Sequence, residues 1–100
     1  YEANKYAATL AALPKQRYDS ALEIGCSIGV LTAKLANRCD RLLSIDVSKP
    51  ALNRAIERCQ SLPHVRFQLM GVPQEYPQQI FDLTLVSEVG YYWCWEDLRK

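Results

Sequence analysis

Apolar positions along the chain change their spacing several times, and each change marks an element. Tyr6, Leu10 and Leu13 recur at i, i+4 and i+7 within an alanine-rich start, which predicts a helix over Tyr1 to Leu13 that Pro14 stops. Lys15 to Asp19 is a polar link. Ala21-Leu22-Glu23-Ile24 is a short apolar run interrupted by one carboxylate and closed by Gly25, the pattern of a buried parallel strand that ends in a tight turn. Ile28, Leu31 and Leu35 then share one face of a helix running to about Asn37, and a second strand, Leu42 to Ile45, ends at Asp46. Ser48 as N-cap and Pro50 in the first turn open the next helix, with Leu52, Ala55, Ile56, Cys59 and Leu62 as its stripe and Pro63 as its end.

The pattern shifts again in His64 to Met70, where Val65, Phe67 and Leu69 alternate with Arg66 and Gln68 as on an edge strand. Ile80 to Val86 is apolar apart from Asp82 and Thr84 and reads as a buried strand. Between them Gly71 to Gln79, holding Pro73 and Pro77, reads as a loop, and Glu96 to Lys100 opens a further helix. Strand, helix, strand, helix, strand, loop, strand predicts an α/β fold: a Rossmann-like open parallel sheet flanked by helices. With the third strand at an edge the order becomes 3-2-1-4. The reversal beside the first strand is where open α/β sheets bind ligands, and Glu23 and Gly25 to Gly29 lie there.

Composition narrows the function classes. The 100 residues are 49% hydrophobic and 23% charged, as in one soluble globular domain, and the net charge of +1 provides no basic field for nucleic acid. No apolar run approaches the ~20 residues of a membrane span, and Tyr1 to Leu13 lacks a signal peptide's separate apolar core. A cytoplasmic protein without nucleic-acid or membrane partners is expected. Cys26, Cys39, Cys59 and Cys94 stand far apart and His64 is the single histidine, so free thiols and no metal are expected.

The chemistry concentrates in Glu23-Ile24-Gly25-Cys26-Ser27-Ile28-Gly29, which follows a strand and opens a helix, with Asp46 at the end of the next strand. This is the layout of a nucleoside-binding unit: Gly25 permits the sharp turn, Gly29 lets the helix approach the sheet, and Asp46 accepts hydrogen bonds from ribose hydroxyls. Ser27 stands where a dinucleotide fingerprint has the second glycine that lets a pyrophosphate approach. Glu23 would repel a diphosphate but suits a sulfonium and an ammonium group, both present in S-adenosyl-L-methionine. A nicotinamide-dependent oxidoreductase using the same Asp46, and a non-catalytic nucleoside-binding module, stay open on these residues alone.

Leu22-Glu23-Ile24-Gly25-Cys26-Ser27-Ile28-Gly29-Val30-Leu31-Thr32, Arg38-Cys39-Asp40, Asp46-Val47-Ser48 and Ser87-Glu88-Val89-Gly90-Tyr91-Tyr92 together resemble the class I S-adenosylmethionine-dependent methyltransferases, and within them the NodS (nodulation protein S) family. The resemblance implies methylation of an amine on a small-molecule acceptor such as an amino sugar or chitooligosaccharide. Carried onto this sequence, it implies that Glu23, Gly25, Cys26, Ser27 and Gly29 surround the methionine part of the cofactor and that Asp46 and Val47 hold and flank the ribose. It puts Gly71 and Val72 near the adenine and adds Ser87 to the cofactor set. Gly90 departs from the pattern, which favours a larger apolar residue there. The resemblance also implies that the chain is one S-adenosylmethionine-binding domain, 1–100, truncated on its C-terminal side and without the family's later strands.

If that topology holds, Glu88, Tyr91 and Tyr92 face the transferred methyl group as catalytic residues. Glu88 is the candidate base or amine-positioning carboxylate, and the tyrosines offer aromatic faces to a sugar or a cation. The remaining features read as structural: His64 as an exposed strand start, Cys26 as a small packing residue, and Arg54 with Arg58 as a like-charged pair on a solvated helix face.

Overall fold

The computed structural model describes the backbone of residues 2–70, 81–87 and 91–94 and the side chains of 7–70 and 81–87. In chain order the elements are α1 (Glu2–Ala12), β1 (Tyr18–Ile24), α2 (Val30–Leu35) continued by a 3₁₀ turn (Ala36–Arg38), β2 (Cys39–Asp46), α3 (Lys49–Arg58), β3 (Val65–Leu69), β4 (Leu83–Val86) and β5 (Tyr91–Cys94). The sheet runs β3-β2-β1-β4-β5, so the expected 3-2-1-4 order is present with β3 at an edge. Those four strands are parallel, whereas β5 pairs antiparallel with β4. This fifth strand lies outside the expectation and gives β4 a neighbour on each side. Only four residues separate Val86 from Tyr91, too few for a parallel crossover of a dozen or more, so a paired return must be antiparallel. The expected loop 71–79, residue 80 and the helix expected from Glu96 lie outside the described residues.

Period-two alternation sorts the side chains onto two faces. Ala21, Leu42, Leu83 and Leu85 point to one face, where they form a core with Leu31 and Leu35 of α2 and Leu13 after α1. Leu52 and Ala55 of α3 pack with Cys26 and with Phe67 of β3. Phe67 pairs with Ser44 and Ser44 with Glu23, so all three helices cover this same face. On the other face Leu22 and Ile45 pack with Phe81. Cys26, Cys39 and Cys59 are free and buried; burial raises all three thiols, Cys39 to about 12, which keeps them unreactive. Among the described residues no helix is long and apolar enough to cross a membrane, and no His, Cys, Asp and Glu group is placed to hold a metal ion.

Two boundaries and two exposures are among the differences from the sequence pattern. β1 begins at Tyr18, because Asp82 reaches across from the approach to β4 and its two carboxylate oxygens accept the backbone N–H groups of Asp19 and Ser20, at 2.9 and 2.8 Å. α3 ends at Arg58 rather than at Pro63. Proline disfavours helical backbone in the residue before it, and the chain turns there with Leu62 N–H donating to the Cys59 carbonyl at 2.9 Å. Ile56, inside α3, lies outside the buried stripe, at 46% exposure. His64 is half-buried rather than exposed, with Nε2 2.9 Å from the Ala36 carbonyl.

The first helix is fastened from a distance. The Arg38 guanidinium donates to the carbonyls of Leu10, Lys15 and Gln16, spanning the end of α1 and the link that follows it. Charged donors on helix-terminal carbonyls stabilise such ends. Arg38→Ala is therefore expected to lower unfolding free energy by about 1–2 kcal/mol and to speed amide exchange in α1 before the sheet. Unchanged α1 exchange would show that the apolar contacts of Leu10 and Leu13 suffice.

Candidate functional site

The carboxyl ends of β1, β2 and β4 meet at the turn 25–29. Backbone N–H groups of Gly25 and Cys26 both donate to the Ile45 carbonyl, at 2.9 and 3.1 Å, so the chain doubles back tightly over β2 before α2 begins. Three of its five residues are left-handed: Gly25 at φ 78°, Ser27 at φ 53° and Gly29 at φ 84°. Glycine adopts this backbone freely, but Ser27 does so at a cost of order 1 kcal/mol. Its N–H is committed to the Asp46 carboxylate at 2.8 Å, which offsets that cost.

Gly29 acts differently from its expected role. A Cβ built there would stand 2.8 Å from Ala55 Cβ and 2.9 Å from Ala55 Cα, so this glycine lets the turn approach α3 rather than the sheet. Arg58, read from sequence as a solvated charge, joins the same contact by donating from Nε to the Ile28 carbonyl at 3.1 Å. An arginine on an exposed helix face carries no sequence signal for such a bond.

Asp46 closes the turn from the β2 side. One carboxylate oxygen accepts Ser27 N–H and the other accepts Ser48 N–H at 2.9 Å, leaving each oxygen a further lone pair for a ligand hydroxyl. Beside it Val47 is 74% exposed, and Leu69, the register partner of Asp46 at the end of β3, is 51% exposed. Leu69 was counted among the alternating strand positions in the sequence pattern; its place opposite Asp46 gives the rim a second apolar side chain. The two stand at the same end of the sheet as the only large apolar groups exposed there among the described residues.

Glu23 lies beneath the turn and is fully buried. Its Oε1 accepts from the hydroxyls of Thr32 and of Ser44, the latter at 2.9 Å, and its Oε2 accepts from the Ser87 hydroxyl. All three donors are themselves buried and neutral. Burial pushes the Glu23 carboxyl above its ordinary range; the Ser87, Thr32 and Ser44 hydroxyls pull it back in part, and the Asp46 charge adds to the rise. A carboxyl raised in this way binds its proton more tightly in the native than in the unfolded chain, so its stabilising contribution is greatest in acid and is lost as pH rises through the raised value. Glu23→Gln is accordingly expected to be more stable than the parent at neutral pH, with the advantage shrinking as pH falls into the ordinary carboxylate range. Urea unfolding across that pH span checks it, and a pH-independent difference would contradict it.

The structure thus brings Glu23, Gly25, Cys26, Ser27, Gly29, Asp46, Val47 and Ser87 together at one end of the sheet. Cys26 is buried with its thiol raised by burial and by the Glu23 and Asp46 charges, as suits a packing residue. Gly71, Val72 and Glu88 lie outside the described residues, and Tyr91 and Tyr92 belong to β5 without described side chains. A cavity of about 400 Å³ opens at the opposite, amino-terminal end of the strands, between Arg41, His64, Arg66 and Phe81, and includes none of the site residues. Chemically, the carboxyl end offers an acceptor for a vicinal diol, an apolar rim and a buried carboxyl group beneath a backbone turn.

A profile of the family described as nodulation protein S (NodS) matches residues 1–99. Nodulation protein S of Sinorhizobium fredii is 44% identical over 73 residues, covering 73% of this chain and 34% of the relative. Among solved structures, the N-methyltransferase NodS of Bradyrhizobium japonicum WM9 superposes with a TM-score of 0.79 at 34% identity, covering 85% of this chain and 48% of that one. The same enzyme in complex with S-adenosyl-L-homocysteine gives a TM-score of 0.70 at 31% identity, covering 84% and 41%. This chain spans about a third of the length of the curated relatives it matches.

Proposed function

Because this chain belongs to the nodulation protein S (NodS) family, we propose that residues 1–100 form the S-adenosylmethionine-binding part of a small-molecule methyltransferase, acting on an amine of an amino sugar or chitooligosaccharide. The observation that carries this reading is the buried Glu23 carboxylate under the turn, without a cation among its hydrogen-bond partners. A negative charge so placed disfavours a diphosphate and favours a sulfonium or an ammonium group. The S-adenosylhomocysteine complex of the Bradyrhizobium relative supports the same choice of ligand.

The residues fit that cofactor. Asp46 has lone pairs left for both ribose hydroxyls, and its two backbone donors fix its orientation beforehand. Val47 and Leu69 give apolar surface beside it for a base, with Gly71 and Val72 following in the chain. Gly25 to Gly29 would enclose the methionine part, with Glu23 contributing charge from below. When bound, S-adenosylmethionine supplies a methyl group on positively charged sulfur. What the chain adds is orientation: the amine must be neutral and in line with the methyl group, so positioning matters more than strong base catalysis.

Glu88 follows Ser87 directly and is assigned to hold the acceptor amine or take its proton, with Tyr91 and Tyr92 as flanking aromatic groups. Glu88→Gln is expected to lower turnover, within the ~10²–10⁴-fold range of general-base effects, while leaving cofactor affinity near the parent's. Turnover equal to the parent's would remove Glu88 from the reaction. Titration calorimetry with S-adenosylhomocysteine and with NAD tests the assignment itself: tight binding of the first and none of the second is expected, and preference for NAD would overturn it. Transfer of labelled methyl to a panel of amino sugars by the full-length protein separates an enzyme from a nucleoside-binding module.

A further inference from the structure

Glu23 is joined by hydroxyls from three separate elements. Thr32 belongs to α2, which the turn opens; Ser44 belongs to β2; Ser87 stands just past β4, next to Glu88. Ser87 is also held by its backbone, whose N–H donates to the Ile24 carbonyl at 2.9 Å. Its hydroxyl is turned inward and the residue is 7% exposed, so that hydroxyl serves Glu23. None of the four side chains is free to turn to a ligand without leaving a buried polar group unpaired, at a cost of about 1–3 kcal/mol.

An apolar residue would fill this place in the sheet more cheaply than a carboxylate does. Packing alone therefore does not account for Glu23. We infer that Glu23 is a positioning residue that acts without touching the cofactor: through Thr32 and Ser87 it links the turn 25–29 and α2 to the chain at Ser87 just past β4, so that filling the turn orders that strand end. The inference rests on the reading of that turn as the S-adenosylmethionine site. The link is short and continuous, from the α2 hydroxyl through one carboxylate to the hydroxyl of Ser87 just past β4. Such coupling is reciprocal: a ligand that rigidifies the turn must also slow opening at Ser87.

Hydrogen exchange at the Ser87 amide, with and without saturating S-adenosylhomocysteine, reads this link without needing the methyl acceptor. In the parent, ligand is expected to slow that exchange by about tenfold. In Ser87→Ala, which keeps the amide and loses the hydroxyl, and in Glu23→Gln, each at an S-adenosylhomocysteine concentration that calorimetry shows to saturate that variant, the slowing is expected to shrink towards none. Thr84→Ala provides the comparison: Thr84 is a buried β4 residue in register with Leu22, on the sheet face away from Glu23, and its loss should destabilise β4 while preserving the slowing. Equal slowing in the parent, Ser87→Ala and Glu23→Gln, or loss of slowing in Thr84→Ala as well, would overturn the link and leave the cofactor site standing. A parent that does not bind S-adenosylhomocysteine would overturn the proposed function and this inference together.

Discussion

Asp46→Ala is expected to weaken S-adenosylhomocysteine binding roughly ten- to 150-fold, about 1.5–3 kcal/mol, measured by titration calorimetry. Two losses combine. On the proposed reading the ribose hydroxyls lose a charged acceptor, and the Ser27 and Ser48 N–H groups lose the carboxylate that organises the turn before ligand arrives. Ser27 then has nothing to offset its left-handed backbone, and part of the binding energy must go to re-forming the turn. Asp46→Asn, which keeps the shape and one acceptor oxygen, should fall between the parent and Asp46→Ala. An affinity unchanged in Asp46→Ala would place the ribose elsewhere.

Gly29→Ala is expected to lose about 2–5 kcal/mol of folding stability, the sum of roughly 1–2 for a left-handed alanine and roughly 1–3 for forcing a methyl group into a filled space. The nearest atoms are the Cβ and backbone Cα of Ala55, in the middle of α3, so no flexible side chain can move aside. Relief requires α2 and α3 to separate, which would open the packing of Cys26, Leu52, Ala55 and Phe67. Adding Ala55→Gly should restore only part of the loss, because the α3 backbone remains in the way. A midpoint in urea equal to the parent's would mean that the turn can relocate.

The β-α-β-α-β order was legible because each element carries its own signal in consecutive residues: the run at Leu22, the Ser48 cap with Pro50, the alternation at Val65 to Leu69. Gly25, Ser27 and Asp46 were legible as a constellation for the same reason, being close in sequence or at a familiar spacing. What escaped depends on partners far along the chain. Nothing near Tyr18 says that a polar stretch continues β1, because the donors of Asp19 and Ser20 are satisfied by Asp82, more than 60 residues away. Glu23 was legible as an acid beside a turn, but not as one already taken by Thr32, Ser44 and Ser87. Gly29 was legible as a close approach, and only the packing of α3 shows that the approached surface is Ala55.

The position of β4 also orders events during synthesis. β1 is central in the sheet, yet the strand that flanks it on the Glu23 side of the site, β4, begins 59 residues after Ile24. A chain emerging from its amino end can pair β1 with β2 and β2 with β3 while that flank of β1 is still open to water. Until Ser87 emerges, Glu23 lacks its last donor and stays within reach of solvent. The dehydration of a carboxylate, one of the costlier steps in forming this sheet, is thereby deferred to the arrival of β4 and the serine that follows it.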